Sequence, residues 1–107
     1  MLKSLQKGSC LSIYLRGEID HYAASSLRRE IENKIMAKDI QTLHIDFSEV
    51  SFIDSSGVGM LIGRYKTMKE KGGKITAGGM SEQVERLYRL AGLHRIIPIL
   101  VHGGEHE

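Results

Sequence analysis

Phe52-Ile53-Asp54-Ser55-Ser56-Gly57-Val58-Gly59-Met60 is the stretch whose reading decides the fold. Two apolar residues close a strand, an acid and two hydroxyls follow, and a glycine-bearing apolar run opens a helix. Upstream, Leu43, Ile45 and Phe47 alternate with His44 and Asp46, the period of a half-buried strand. Downstream, Val58, Leu61, Ile62, Tyr65 and Met68 recur at helical spacing, and Gly72-Gly73 stops the helix where a left-handed residue is wanted. Ser55 therefore falls at a helix N-terminus, where unpaired N–H donors and the positive end of the macrodipole gather. Two readings stay open. Asp and Ser are preferred N-caps and here satisfy backbone donors and nothing more; or a phosphate on Ser55 is electrostatically welcome there, which is how a phosphorylation switch is built.

Working outward, Leu11, Ile13 and Leu15 alternate with Ser12, Tyr14 and Arg16 as a second strand that Gly17 closes, and residues 2–7 read as an edge strand beside it. From Ala24 the period lengthens. Leu27, Ile31 and Ile35 recur every four residues, with Arg28/Glu32 and Glu30/Lys34 as i,i+4 pairs on the other side, so this segment is an amphipathic helix. Lys74 to Ala77 is a short strand. Ser81 caps a third helix whose inner face is Val84, Leu87, Tyr88 and Ala91 and whose stop is Gly92. Ile96 to Val101 is the last strand, placed at an edge or a bulge because Pro98 cannot donate to a ladder. Strands alternating with helices predict an α/β single domain over residues 1–101. Its sheet is mostly parallel and mixed, of about five strands with an antiparallel edge strand, and helices cover it. Residues 102–107 read as a polar C-terminal tail, expected to be mobile.

At 107 residues with 15 basic and 13 acidic side chains, the chain suits one domain, and its net charge of +2 does not call for nucleic acid. The single Cys10 excludes an intramolecular disulfide and reads as a small buried or half-buried side chain. The longest apolar run, Ile96 to Val101, falls far below the ~20 residues of a membrane helix. A reduced, cytoplasmic setting is the expectation. Gly57, Gly59 and Gly63 in the second helix would together cost about 2–3 kcal/mol against Ala. Close approach of another backbone inside the fold, or of a partner at the surface, would compensate.

Gly17-Glu18-Ile19-Asp20-His21, Ser51 through Gly59, Gly63-Arg64-Tyr65-Lys66 and Ala91-Gly92-Leu93 occur in the order and spacing of a known family. The chain resembles the anti-sigma factor antagonists, which carry the STAS domain, and among them the sporulation anti-sigma F factor antagonists, from about Leu11 to Val101. The resemblance implies that Ser55, directly after the motif's aspartate, is the phosphorylated serine. It implies a partner-binding surface of Asp20, His21, Asp54, Ser55, Ser56, Gly57, Gly59 and Arg64. The implied activity is a partner switch: the unmodified protein binds an anti-sigma factor that is itself a serine kinase, the sigma factor is released, the kinase phosphorylates Ser55, and a phosphatase reverses the change. ATP and magnesium belong to the kinase, and the protein itself needs no cofactor. Tyr22 and the alanines after it stand where His and Thr are commoner in the family.

Other functions fit less well. A hydrolase would use Ser55 as nucleophile, Asp20 and Asp54 as acid/base groups and His21 or His44 as base, but no Gly-x-Ser-x-Gly elbow is present. His21 reads as a loop residue, and Asp20 as a cap or turn acid before the first helix. His102 and His106, with Glu105 and Glu107, could chelate a metal only on a helix, which Gly103-Gly104 opposes. A helix N-terminus with glycines can receive a phosphate, yet no nucleotide-binding loop signature occurs; a STAS-type nucleotide-binding or signalling interaction module without a phosphorylation switch is the alternative. Arg64, Lys66, Lys69, Lys71 and Lys74 make a basic cluster, a solvated helix face or an acidic-partner surface.

Overall fold

Strand β1 (Leu2–Lys7) and strand β2 (Cys10–Ile19) form an antiparallel hairpin whose turn holds Gly8 at φ 60°, in the left-handed region that glycine enters freely. The computed structural model describes residues 2–37 and 39–100. After the hairpin the chain alternates helix and strand: α1 (His21–Ala37), β3 (Thr42–Ile53), α2 (Ser55–Glu70), β4 (Lys74–Gly78), α3 (Glu82–Leu90) and a 3-10 turn at Leu93–Arg95. Sheet order is β1-β2-β3-β4, with β2, β3 and β4 parallel. Each step moves one strand in the same direction, so crossovers of one hand lay α1 and α2 side by side on one face.

The alternation read in the sequence is what fixes the register. Leu11 and Ile13 lie beside Leu43 and Ile45, which lie beside Ile75 and Ala77, and all six are buried. Their neighbours Tyr14, His44, Asp46 and Thr76 face the other way and are half-buried or exposed. A one-residue slip of β2 would turn Ile13 and Leu15 outward, at about 1.5–3 kcal/mol for each side chain exposed. α1 buries Ala23, Ala24, Leu27, Ile31 and Ile35 against this face. α2 adds Met60, Leu61 and Met68, while Val58, Ile62 and Tyr65 pack at its margin. α3 buries Val84 and Tyr88, and the Tyr88 ring meets Phe47 edge-on, 5.9 Å between centroids. The Tyr88 hydroxyl donates to the Ile97 carbonyl at 2.7 Å, and burial pushes its pKa up. Ala91, expected inside, is the exposed C-cap of α3.

Further differences from the expected elements concern the last strand, Cys10 and Glu32. Where the pattern predicts about five strands, the sheet among the described residues has four, and the expected strand from Ile96 shrinks over those residues to one bridge between Ile99 and Ala77. The Ile96 and Ile97 amides turn back to the Leu93 carbonyl, and Pro98 has no N–H to give, which leaves Ala77 N to Pro98 O at 3.0 Å and Leu100 N to Ala77 O at 2.7 Å. Val101 and the tail with His102 and His106 lie outside the described residues. Cys10 opens β2 at the hairpin and is exposed rather than buried. Glu32 does not pair with Arg28 along α1; it reaches across to α2 instead.

Candidate functional site

β2 and β3 run parallel with Ile19 beside Ile53, and each strand passes through a single aspartate into a helix. The Asp54 amide donates to the Ile19 carbonyl at 3.2 Å, which ties the two crossings together. At the first, Asp20 Oδ1 accepts from Ala23 N at 3.0 Å and its carbonyl from Ala24 N at 2.8 Å, so α1 starts at His21, three residues before the expected Ala24. At the second, Asp54 Oδ1 accepts from Ser56 N at 2.8 Å and from Gly57 N at 3.1 Å, and its carbonyl from Val58 N at 3.0 Å. Asp54 is extended at φ −107° and ψ −172°, the conformation of an N-cap. The cap of α2 is therefore the acid. Ser55 is the first residue of the helix and is exposed.

Between the first turns of α1 and α2 lies an open groove of about 310 Å³ lined by His21, Ala24, Ser25, Arg28, Ser56, Gly59 and Met60. Sequence reasoning named His21, Ser56 and Gly59 for this corner and missed Ser25 and Met60, whose place depends on the angle at which the helices cross. His21 is not in a loop: it begins α1, and its ring stands edge-on to Tyr22 at 5.8 Å. Tyr22 is 85% exposed and Phe52, two residues before Asp54, 38%.

The three helix glycines have different reasons. A Cβ on Gly57 would lie 2.8 Å from both the Ile19 carbonyl oxygen and Ile53 Cγ1, so this glycine lets α2 start against β2. A Cβ on Gly59 or on Gly63 would meet nothing within 4 Å. Internal packing explains Gly57 and leaves the other two to the surface.

Arg64 is not on that surface. It is 7% exposed, between α1 and α2, with Nε 2.9 Å from Glu32 Oε1 and Nη1 donating to the Arg28 carbonyl at 3.4 Å. The Nε approach is off the line of a directed hydrogen bond, so it is a charge contact. Burial lowers the Arg64 pKa, and the Glu32 charge works against that shift. Thr67 Oγ1 donates to the same carboxylate at 3.1 Å. Lys71 Nζ donates to the Ile35 carbonyl at 3.0 Å near the end of α1, and Lys69 stands 6.0 Å from the Tyr65 ring centroid. Two of the five basic residues, Arg64 and Lys71, thus tie α2 to α1.

His44 belongs to a different part of the sheet. Its Nδ1 lies 2.8 Å from Thr76 Oγ1, and burial lowers its pKa while Asp46 raises it. From His44 to Ile53 the strand runs nine residues, about 30 Å at roughly 3.3 Å each, so His44 cannot serve Ser55 as a base. Among the described residues no group of three or more His, Cys, Asp or Glu could hold a metal ion, and no helix is long and apolar enough to cross a membrane.

Residues 2–105 match the STAS domain. The anti-sigma F factor antagonist of Paenibacillus polymyxa is 33% identical over 89 residues, 83% of this chain and 76% of that protein. The chain belongs to the STAS-domain family of anti-sigma factor antagonists. Another relative in that family, the anti-sigma-B factor antagonist of Bacillus subtilis, is 34% identical over 94 residues, 88% of this chain and 84% of that one. The solved structure of the anti-sigma factor antagonist SpoIIAA in its unphosphorylated form superimposes with a TM-score of 0.82 at 25% identity, covering 98% of this chain and 92% of that one. The fold and the sequence motifs thus point to the same family.

Proposed function

We propose that this protein acts as an anti-sigma factor antagonist whose unphosphorylated form binds an anti-sigma factor with serine kinase activity, so that the sigma factor is released. Phosphorylation of Ser55 ends the interaction and a phosphatase restores it. The observation that carries the reading is Ser55 itself: an exposed hydroxyl at the first position of α2, freed from capping by Asp54 and held on a rigid strand-to-helix corner. The partner-binding surface is Asp20, His21, Asp54, Ser55, Ser56 and Gly59, with Gly57 setting its backbone from beneath. SpoIIAA, whose fold this chain shares, is known in an unphosphorylated and a phosphorylated form, which supports a two-state protein.

In the transfer step Ser55 Oγ bonds to the γ-phosphorus of ATP on the partner, the bond from that phosphorus to the β,γ-bridging oxygen breaks, ADP leaves and the hydroxyl proton passes to solvent or to a base on the partner. ATP and magnesium stay with the kinase, and this chain contributes only the acceptor. The phosphate adds about −1.5 to −2 charges at a surface that must be desolvated on binding. Loss of about 2–4 kcal/mol, roughly 30-fold to 10³-fold in dissociation constant, follows from burying such a charge.

The test mixes the protein with its cognate anti-sigma factor, ATP and magnesium, maps the phosphate by mass spectrometry and titrates the product by calorimetry. One phosphate on Ser55 and a complex weakened in that range is the expected result. Phosphate on Ser56 alone would move the switch by one residue and overturn the assignment. Binding with no phosphate on either serine would leave a constitutive interaction module.

A further inference from the structure

Asp54 and a phosphate on Ser55 compete for the same donors. A phosphate at the start of a helix ordinarily folds back onto the free N–H groups of the first turn, where the dipole also favours it, and part of its charge is compensated. In α2 two of those groups, on Ser56 and Gly57, are taken. Asp54 Oδ1 holds Ser56 N at 2.8 Å and Gly57 N at 3.1 Å, and the Asp54 carbonyl holds Val58 N. Displacing the carboxylate would break two charge-assisted hydrogen bonds and leave it beside the phosphate. Nor can the turn shift to expose fresh donors, because a clamp fixes it on both sides: Asp54 N is bonded to the Ile19 carbonyl, and Gly57 lies so close to that carbonyl that a Cβ there would be 2.8 Å from it.

We infer that Asp54 is the positioning residue of the switch: by occupying the Ser56 and Gly57 N–H donors it denies them to a phosphate on Ser55 and leaves that phosphate facing the partner with little more than its own N–H to compensate it. The neighbouring α1 terminus gives no alternative seat at Ala23 N, since Asp20 Oδ1 takes that donor at 3.0 Å. The phosphorylated protein then differs from the unmodified one in surface charge and bulk, with the helix start unchanged. The inference rests on Ser55 being the phosphorylated residue.

The experiment installs phosphoserine at position 55 by genetic encoding, so no kinase is needed, in the full chain carrying Asp54, Asp54→Asn or Asp54→Ala. Each is compared with its unphosphorylated counterpart by thermal melting and by a phosphorus NMR titration of the phosphate. Asn keeps a capping oxygen on the donors without the charge, whereas Ala frees the donors. In the Asp54 protein and in Asp54→Asn the phosphate should leave the melting temperature unchanged or lower it. In Asp54→Ala it should raise the melting temperature by about 4–8 °C, the size of one recovered cap in a domain of this length. The second phosphate pKa should fall by roughly half a unit or more from Asp54→Asn to Asp54→Ala as the freed N–H groups stabilise the dianion. Should Asp54→Ala fail to fold, Asp54→Gly leaves the donors free with a tolerated N-cap. A phosphate that stabilises the Asp54 protein as much as the Ala variant, or an Ala variant that matches Asn in both readouts, overturns the inference. Failure of the cognate kinase to modify Ser55 would instead overturn the functional reading, while these melts and titrations would stand.

Discussion

Gly59→Ala separates what the fold needs from what a partner needs. Gly59 is exposed in the second turn of α2, has no positive φ, and a Cβ built on it meets no atom within 4 Å. Alanine should therefore recover most of the helix propensity that glycine forfeits, about 0.5–1 kcal/mol, and raise the melting temperature by a few degrees. If the groove between α1 and α2 receives the anti-sigma factor, the same methyl group intrudes on a close-packed contact. Overpacking of that kind costs about 1–3 kcal/mol, which reads as roughly 5-fold to 150-fold in dissociation constant. Gly57→Ala is the internal contrast: its Cβ would press on the Ile19 backbone oxygen at 2.8 Å, an atom that cannot rotate away, so about 1–3 kcal/mol of stability should be lost. Thermal melts on both variants and calorimetric titration with the cognate anti-sigma factor give all four numbers. A Gly59→Ala protein that melts higher and binds with unchanged affinity, with Gly59→Leu equally tolerated, would remove Gly59 from the interface and refute the reasoning. One that melts lower would show an internal role the geometry does not reveal.

Ser55→Ala should keep its melting curve within about 0.5 kcal/mol of wild type, because the cap is Asp54, and should bind the anti-sigma factor even after incubation with ATP; lost binding with an unchanged melt would make the hydroxyl a required contact. Arg64→Ala strands the Glu32 carboxylate between α1 and α2 and should lower stability by about 1–3 kcal/mol in urea denaturation, with no change in affinity once folded. For His44, burial holds the folded pKa below the unfolded value of about 6.5, so the folded state resists the proton that the unfolded chain accepts. Stability should be full above that pH and decline as pH falls from about 6.5 towards the lowered folded value, and His44→Gln should flatten that part of the profile.

The fold was legible wherever burial has a short period. Leu43, Ile45 and Phe47 announce β3, Leu27, Ile31 and Ile35 announce α1, and the hairpin and parallel sheet follow from their order, since a strand buried on one face has only one acceptable register. What the pattern missed is decided by hydrogen bonding over longer range. Ile96 to Leu100 is as apolar as β4, yet its first amides are drawn to Leu93 by the 3-10 turn, and an apolar run carries no record of where its backbone donors go. Arg64 was misplaced for a related reason. Its charge suggests solvent, while Glu32 and the Arg28 carbonyl, both more than thirty residues away in sequence, make its burial acceptable.

The site divides along the same line. Asp54 before Ser55, and a helix after them, could be read directly because a cap is a contact between residues two and three apart. Which of the two would cap could not be read, since both residue types serve equally well. That choice carries the functional weight: a capping serine would bury its hydroxyl in the first turn, whereas a capping aspartate leaves the next hydroxyl outward and the Ser56 and Gly57 donors already spent. The glycines show the same limit. Three in one helix looked like a single expense with two possible causes, and the structure assigns one cause to Gly57 and leaves Gly59 and Gly63 open to the other. Only the position of the Ile19 carbonyl, set by the pairing of β2 with β3, separates them, and so the surface a partner would meet is defined by a strand register some thirty residues removed from the motif that first marked it.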